Sequence, residues 1–199
     1  HGILGEYQYL IVDEAHNLEE AAGEHLTRRL SLWEINELLD ELHRAKGPRA
    51  RGLFPLLRER VSRGELKAGL KEGILVKVEE GSELVQGLRR RNGEFFARLT
   101  ELLREKGGIT VDDYPLEHPE KGRYNRQLLS DLQDELEELE VGLALLANIL
   151  SEIKDLLEGL SEGSLVDQKG LIGRTTVAFT WAGRLLDLLR FMAAAEDEG

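Results

Sequence analysis

Residues 129–160 read LSDLQDELEELEVGLALLANILSEIKDLLEGL, and the spacing of their apolar positions decides the fold. Leu129, Leu132, Leu136, Leu139, Leu143, Leu146, Leu150, Ile153, Leu157 and Leu160 recur in alternating steps of three and four residues, the spacing of a coiled-coil seam. The pattern predicts a helix from about Asn125 to Leu160, roughly 50 Å long at about 1.5 Å per residue. Asp134, Glu135, Glu137, Glu138 and Glu140 fall between seam positions and form the wet side of that helix. Gly159, Gly163 and Ser164 supply a short turn. A last helix from Leu165 then carries Leu171, Thr175, Ala178, Ala182, Leu185, Leu189 and Met192 at the same spacing. The small residues Thr175, Ala178 and Ala182 allow a close approach opposite Leu143 to Leu150. The expected result is an antiparallel coiled-coil hairpin over about 125–195. A seam of this kind also suits a dimer, although the short turn favours a hairpin within one chain.

Working outward, Ser31 and Glu34 form a capping-box signature for a helix to about Arg44, with Trp33, Ile35, Leu38, Leu39 and Leu42 on its expected buried face. Asn17 and Glu20 repeat the signature for an earlier helix to about Arg29. Gly47, Pro48 and Gly52 interrupt the chain, and shorter helices follow over Leu53 to Arg63 and Glu65 to Lys71, the second ending near Gly73. Ile74 to Val78 and Ile109 to Val111 are short apolar runs that suit irregular or hairpin pieces. Between them, Leu84, Leu88, Phe95, Leu99 and Leu102 mark a helix over about Ser82 to Lys106, and residues 110–124, with Pro115, Pro119 and Gly122, read as a long crossing segment. Trp33 and Trp181 read as core anchors, and Asp187 and Arg190 as an i,i+3 ion pair of little energetic weight.

The whole chain has 199 residues, is 41% hydrophobic and carries a net charge of -12, so it has enough apolar surface for a core but is not coated with cations. The charge is uneven: Arg44 to Lys106 holds 16 Lys and Arg against 9 Asp and Glu, and the remainder holds 10 against 29. With no cysteine, disulfides and thiolate metal sites are excluded within these residues. No run of about 18 apolar residues suggests a membrane span. His1 opens the chain with neither a starting Met nor a basic leader, so the chain reads as a piece of something longer, with the cytoplasm as the expected compartment.

The chemistry lies at the other end from the seam. Tyr7 to Val12 (YQYLIV) is an apolar run with the pattern of a buried parallel strand, and it leads directly into Asp13-Glu14-Ala15-His16. A carboxylate at the carboxyl edge of such a strand can hold the Mg²⁺ of a nucleoside triphosphate, and a second can orient the attacking water. Acidic residues are also favoured at a helix start, which is the plainer reading of the same four residues. Asp13-Glu14 after an apolar strand is the Walker B arrangement, and Ala15-His16 narrows it to the DEAH-box form.

IVDEAHNLEEAA, preceded by His1-Gly2-Ile3-Leu4, resembles the motif II neighbourhood of DinG-type helicases, XPD-like members of superfamily 2. The resemblance covers about the first 30 residues. It implies that Asp13 binds Mg²⁺, that Glu14 activates water for ATP hydrolysis, and that His16 couples hydrolysis to nucleic-acid engagement. In that family a long, mostly helical Arch domain with an elongated antiparallel region follows motif II. The implied division is 1–16, a strand and DEAH remnant of the first helicase domain, and 17–199, an Arch-like helical domain. The fold class expected is therefore mainly α, an elongated helical bundle with an antiparallel coiled-coil hairpin and a short N-terminal strand remnant of the helicase sheet. The implied cofactors are ATP and Mg²⁺ in the complete enzyme, and many relatives carry an iron-sulfur cluster upstream of motif II, outside this chain. The implied partners are single-stranded or forked DNA and the remaining helicase domains. These residues contain no glycine-rich G-x-x-x-x-G-K-[ST] loop, so the isolated chain is expected to hydrolyse no ATP.

Within the basic middle, Arg89-Arg90-Arg91 is the candidate contact for a DNA strand, against the plainer reading of a helix face paired with the acidic helix that follows. Phe95 and Phe96, one turn on, suit the core better than base stacking. His25, His43 and His118 have no partners at metal-ligand spacing and read as ordinary histidines. A reading from another class is a non-enzymatic coiled-coil interaction module, in which the DEAH run is only a helix start.

Overall fold

Helix α1, Leu32–Leu42, starts where the sequence places it. The backbone N–H of Glu34 donates to Ser31 Oγ at 3.2 Å and that of Ser31 donates to Glu34 Oε2 at 2.9 Å, closing the capping box. The computed structural model describes residues 30–46, 49–107 and 130–194. The expected strand Tyr7 to Val12, Asp13-Glu14-Ala15-His16, the helix from Asn17 to Arg29, the run Ile109 to Val111 and the crossing segment 110–124 lie outside the described residues.

Ile35, Leu38, Leu39 and Leu42 are fully buried on one stripe of α1, as their spacing requires. Trp33 is not on that stripe and is 75% exposed, so it is no core anchor. It stands two positions before Ile35, roughly 160° around a helix of 3.6 residues per turn, on the opposite face. After α1 the chain makes a two-stranded antiparallel ribbon, β1 (Arg44–Lys46) and β2 (Arg49–Arg51), where the sequence shows only breakers. Helix α2, Leu53–Arg63, follows with Leu53, Phe54, Leu57 and Val61 buried.

Helix α3 runs from Ala68 to Gly107, 40 residues without a break, and so overturns the expectation of a short helix ending near Gly73 and of a non-helical Ile74 to Val78. Its buried face is a seam in its own right, because Ile74, Val78, Val85, Leu88, Phe95, the partly buried Leu99 and Leu102 keep the three-four spacing once Gly81 and Asn92 are counted as members. Those two residues hid it. Gly81 lies under the Phe54 ring of α2, whose nearest carbon is 2.6 Å from where a Cβ would sit. Asn92, fully buried, donates through Nδ2 to the Leu32 carbonyl at 3.1 Å and to Asn36 Oδ1 at 3.2 Å, which fixes where α1 docks.

Helix α4, Gln133–Glu158, and helix α5, Gln168–Ala194, form the expected hairpin. Leu136, Leu139, Leu143, Leu146, Leu150, Ile153 and Leu157 are all buried, as are Leu171, Thr175, Ala178, Ala182, Leu185 and Leu189 opposite them. The direction is fixed at both ends: Gln168 Nε2 donates to the Leu157 carbonyl at 3.1 Å, and Arg190 Nε meets Glu140 Oε1 at 2.9 Å. Arg190 therefore pairs across the hairpin, where Asp187 was expected. Gly163, at φ 83, and Asp167, at φ 62, take the left-handed conformations that turn the chain between the two helices.

Helix α4 is also antiparallel to α3, since Lys77 Nζ lies 2.9 Å from Glu152 Oε2 and Arg91 Nε lies 3.2 Å from Glu138 Oε2. α4 is thus the shared helix of a three-helix bundle, with α1 and α2 laid against α3 and touching α5. The buried apolar side chains form one continuous cluster. Phe95 and Phe96 belong to it or pack on it, with their rings edge to face at 5.0 Å, as the core reading expects. Trp181 is partly buried against the same cluster.

The continuity of α3 predicts opposite outcomes for two glycine substitutions. No neighbour lies within 4 Å of a Cβ built at Gly73 or Gly87, so Gly73→Ala and Gly87→Ala should each raise stability by about 0.5–1 kcal/mol in urea melts. Gly81→Ala gains the same propensity but overpacks the Phe54 ring, at about 1–3 kcal/mol, and should lower the melting midpoint. A rise in the midpoint for Gly81→Ala would contradict this packing.

Candidate nucleic-acid interface

Successive residues on an α-helix point about 100° apart, so three consecutive arginines cannot share one face. The described structure separates them accordingly. Arg89 turns toward α1, where Nη2 meets Asp40 Oδ1 at 2.8 Å and donates to the His43 carbonyl at 3.1 Å. Arg91 turns the other way, to the Glu138 carboxylate of α4, in an ion pair whose Nε is out of line for a hydrogen bond. Arg90 points to solvent with its side chain 64% exposed and, among the described residues, is held only by Glu94, one turn along its own helix, at 2.8 Å. The run is therefore one outward arginine between two that join helices. Asp13, Glu14 and His16 lie outside the described residues.

A second cationic feature sits at the junction of α1 and α2. The ribbon register pairs Arg44 with Arg51, Ala45 with Ala50, and Lys46 with Arg49. Because directly opposed residues of an antiparallel pair share a face, Arg44 and Arg51 lie on the same face of the ribbon. Sequence reasoning passed over these residues. Their signal is the alternation RAKGPRAR, a period of two around Gly47-Pro48, which β-propensity conceals because none of the six strand residues is β-branched or aromatic.

The base of the ribbon is rigidly held. Gly52, at φ 118, brings its Cα so close to the end of α1 that a Cβ would meet the Leu42 carbonyl oxygen at 2.6 Å. Asp40 lies between two arginines, with Oδ2 at 3.1 Å from Arg44 Nε and Oδ1 on Arg89. His43 caps α1 through its backbone N–H, which donates to the Leu39 carbonyl at 2.9 Å. Burial, followed by the charges of Arg89 and then Arg58, pushes the His43 imidazole below its ordinary value, so it is neutral at pH 7. Arg58 is itself tied to Glu79 of α3.

A groove of about 960 Å³ runs between α1 and α5, lined by Trp33, Leu38, Val177 and Trp181 and rimmed by Glu37, Asp40, Glu41 and Arg174. Arg44 lines it as well, so three acids and two arginines share its wall. Among the described residues no three His, Asp or Glu side chains gather as a metal site requires, and no helix is long and apolar enough to cross a membrane. No family model matches the chain, and neither a curated protein nor a solved structure matches it.

The His43 environment predicts a pH dependence of stability. Its folded value lies below the unfolded value of about 6.5, so its contribution is fully present above about pH 6.5 and is lost as the pH falls through the folded value. Urea midpoints should therefore drop between about pH 7.5 and pH 5.5, and His43→Gln should make that drop smaller. An identical pH slope in the two proteins would exclude His43 as its source.

Proposed function

We propose that the chain is the Arch-like helical part of an ATP-dependent DNA helicase, in which it guides or gates a single strand beside the ATP site. The observation that carries this reading is Ile11-Val12-Asp13-Glu14-Ala15-His16, an apolar run ending in the DEAH form of the Walker B carboxylates. An antiparallel helical bundle following directly after that motif agrees with it. In the complete enzyme Asp13 would hold Mg²⁺ on the nucleotide, Glu14 would take the proton of the attacking water, and His16 would link hydrolysis to the strand. Of the three arginines on α3, Arg90 would be the one to meet a phosphate, because it can leave Glu94 without opening a contact between helices.

A non-enzymatic interaction module is the second reading. It is favoured by apolar side chains exposed on the hairpin and on α1: Val141 is 59% exposed, Val177 66% and Trp33 75%.

The two readings separate on the complete enzyme. Glu14→Gln should leave ATP binding intact and lower kcat for hydrolysis by roughly 10²–10⁴-fold, while Asp13→Asn should also raise the Mg²⁺ requirement. Hydrolysis unchanged by Glu14→Gln, or an encoded protein with no phosphate-binding loop upstream of His1, would reject the helicase.

A further inference from the structure

We propose that the chain pairs with a second copy of itself through antiparallel α5 helices, each lying in the groove between α5 and α1 of the other. The pairing is independent of the ATP site.

The groove carries both tryptophans of the chain, Trp33 on α1 and Trp181 on α5, together with Val177. Trp33 is 75% exposed and Val177 66%, so a large aromatic and a branched aliphatic face water across a concave surface. Tryptophan is enriched where proteins meet, since it buries much area at little cost in side-chain freedom. Along α5 the outward positions Gly173, Val177, Trp181, Arg184 and Leu188 recur at steps of three and four residues. They form a second stripe beside the one that packs on α4.

This stripe is its own complement when reversed. About a two-fold axis set between Thr180 and Trp181, Gly173 faces the partner's Leu188 and Val177 faces the partner's Arg184, because the members of each pair stand equally far from the axis along the helix. Small meets large at the first of these pairs. A Cβ built on Gly173 has no neighbour within 4 Å in its own chain, so the position is open to receive a leucine that is only partly buried in its own subunit.

Charge selects the same arrangement. Helix α1 carries four acids and no base, whereas α5 carries four cations and one acid. Three of those cations are held within the chain: Lys169 by Glu162, Arg174 by Glu41 and Arg190 by Glu140. Arg184 and Glu37 are exposed and have no ion pair among the described residues. α1 runs against α3, with Asn92 on Leu32 and Arg89 on Asp40, and α3 runs with α5 because both oppose α4. α1 is therefore antiparallel to α5, and Glu37, one turn before Glu41, stands at the level of Val177, one turn after Arg174. The partner's Arg184, facing Val177, arrives beside Glu37, and the two-fold makes this contact twice.

The test is sedimentation equilibrium of the chain from about 1 to 300 μM in about 0.15 M salt, where repulsion between two chains of net charge -12 is screened. A contact about 22 Å long, fifteen residues at about 1.5 Å each, belongs with small reversible interfaces. The mass should rise from monomer to dimer within that range while the tryptophan emission shifts to the blue. Gly173→Gln should keep or raise the melting midpoint, because it sets a better helix former in open space, and should weaken dimerisation at least tenfold. Glu37→Arg and Arg184→Glu should each weaken it when alone. An equimolar mixture of these two variants should recover the dimer, because each then meets an opposite charge at both contacts. Undiminished dimerisation of Gly173→Gln, or a mixture no better than its components, overturns the proposal. So does a monomer throughout the range, and a blue-shifted emission at every dilution would then mean that the groove is covered from within its own chain. None of these readouts depends on ATP hydrolysis, so the pairing and the helicase reading fail separately.

Discussion

The leucine seam of α4 has to be covered by two helices at once, and the rest of the fold follows from that requirement. One partner is α5, which follows it in sequence and needs only a short turn. The other is α3, which approaches closely enough that a Cβ on Gly142 would lie 2.5 Å from the Leu88 side chain. Each buried leucine contributes about 1.5–3 kcal/mol, whereas the ion pairs along the flanks are exposed and individually weak. The charges act mainly to choose direction. Lys77 with Glu152, Arg91 with Glu138, and Arg190 with Glu140 are satisfied together only when α4 runs against both neighbours. The Lys77 hydrogen bond, with a second from Asn148, holds the Glu152 carboxyl below its ordinary value, so this pair is charged across the neutral range.

How much of this could be read from the residues depended on whether the seam was written in apolar letters. The hairpin of α4 and α5 was legible because leucine and isoleucine fill nearly every seam position, with Thr175, Ala178 and Ala182 following the same spacing. Helix α3 has the same geometry, but glycine at 81 and asparagine at 92 interrupt the apolar pattern, and Gly73 imitates a helix end. Both interruptions have tertiary causes: the Phe54 ring occupies the space beside Gly81, and Asn92 answers a carbonyl and an amide on α1. Trp33 shows the converse: grouped with Ile35, Leu38, Leu39 and Leu42 on the expected buried face, it stands on the opposite side of the helix and is exposed.

The cationic surface divides along similar lines. Arg89-Arg90-Arg91 is conspicuous as a run, yet helical geometry sends it in three directions and gives two of its members to carboxylates on neighbouring helices. The ribbon residues are inconspicuous as a run, yet the register sets Arg44 directly opposite Arg51. Period, not density, decides whether charges act together.

That α4 is shared between α3 and α5 within one chain can be tested by distance. The chain has no cysteine, so spin labels can be placed on introduced cysteines alone. Pulsed electron paramagnetic resonance on Lys77→Cys/Glu152→Cys and on Lys77→Cys/Glu138→Cys would compare the two ends of α4 from one point on α3. The first distance should be shorter by about 14 Å, because fourteen residues at about 1.5 Å each displace Glu138 along the axis across helices about 8–10 Å apart, and it should survive dilution with unlabelled chain. A shorter Lys77 to Glu138 distance, or a signal that disappears on dilution, would contradict it.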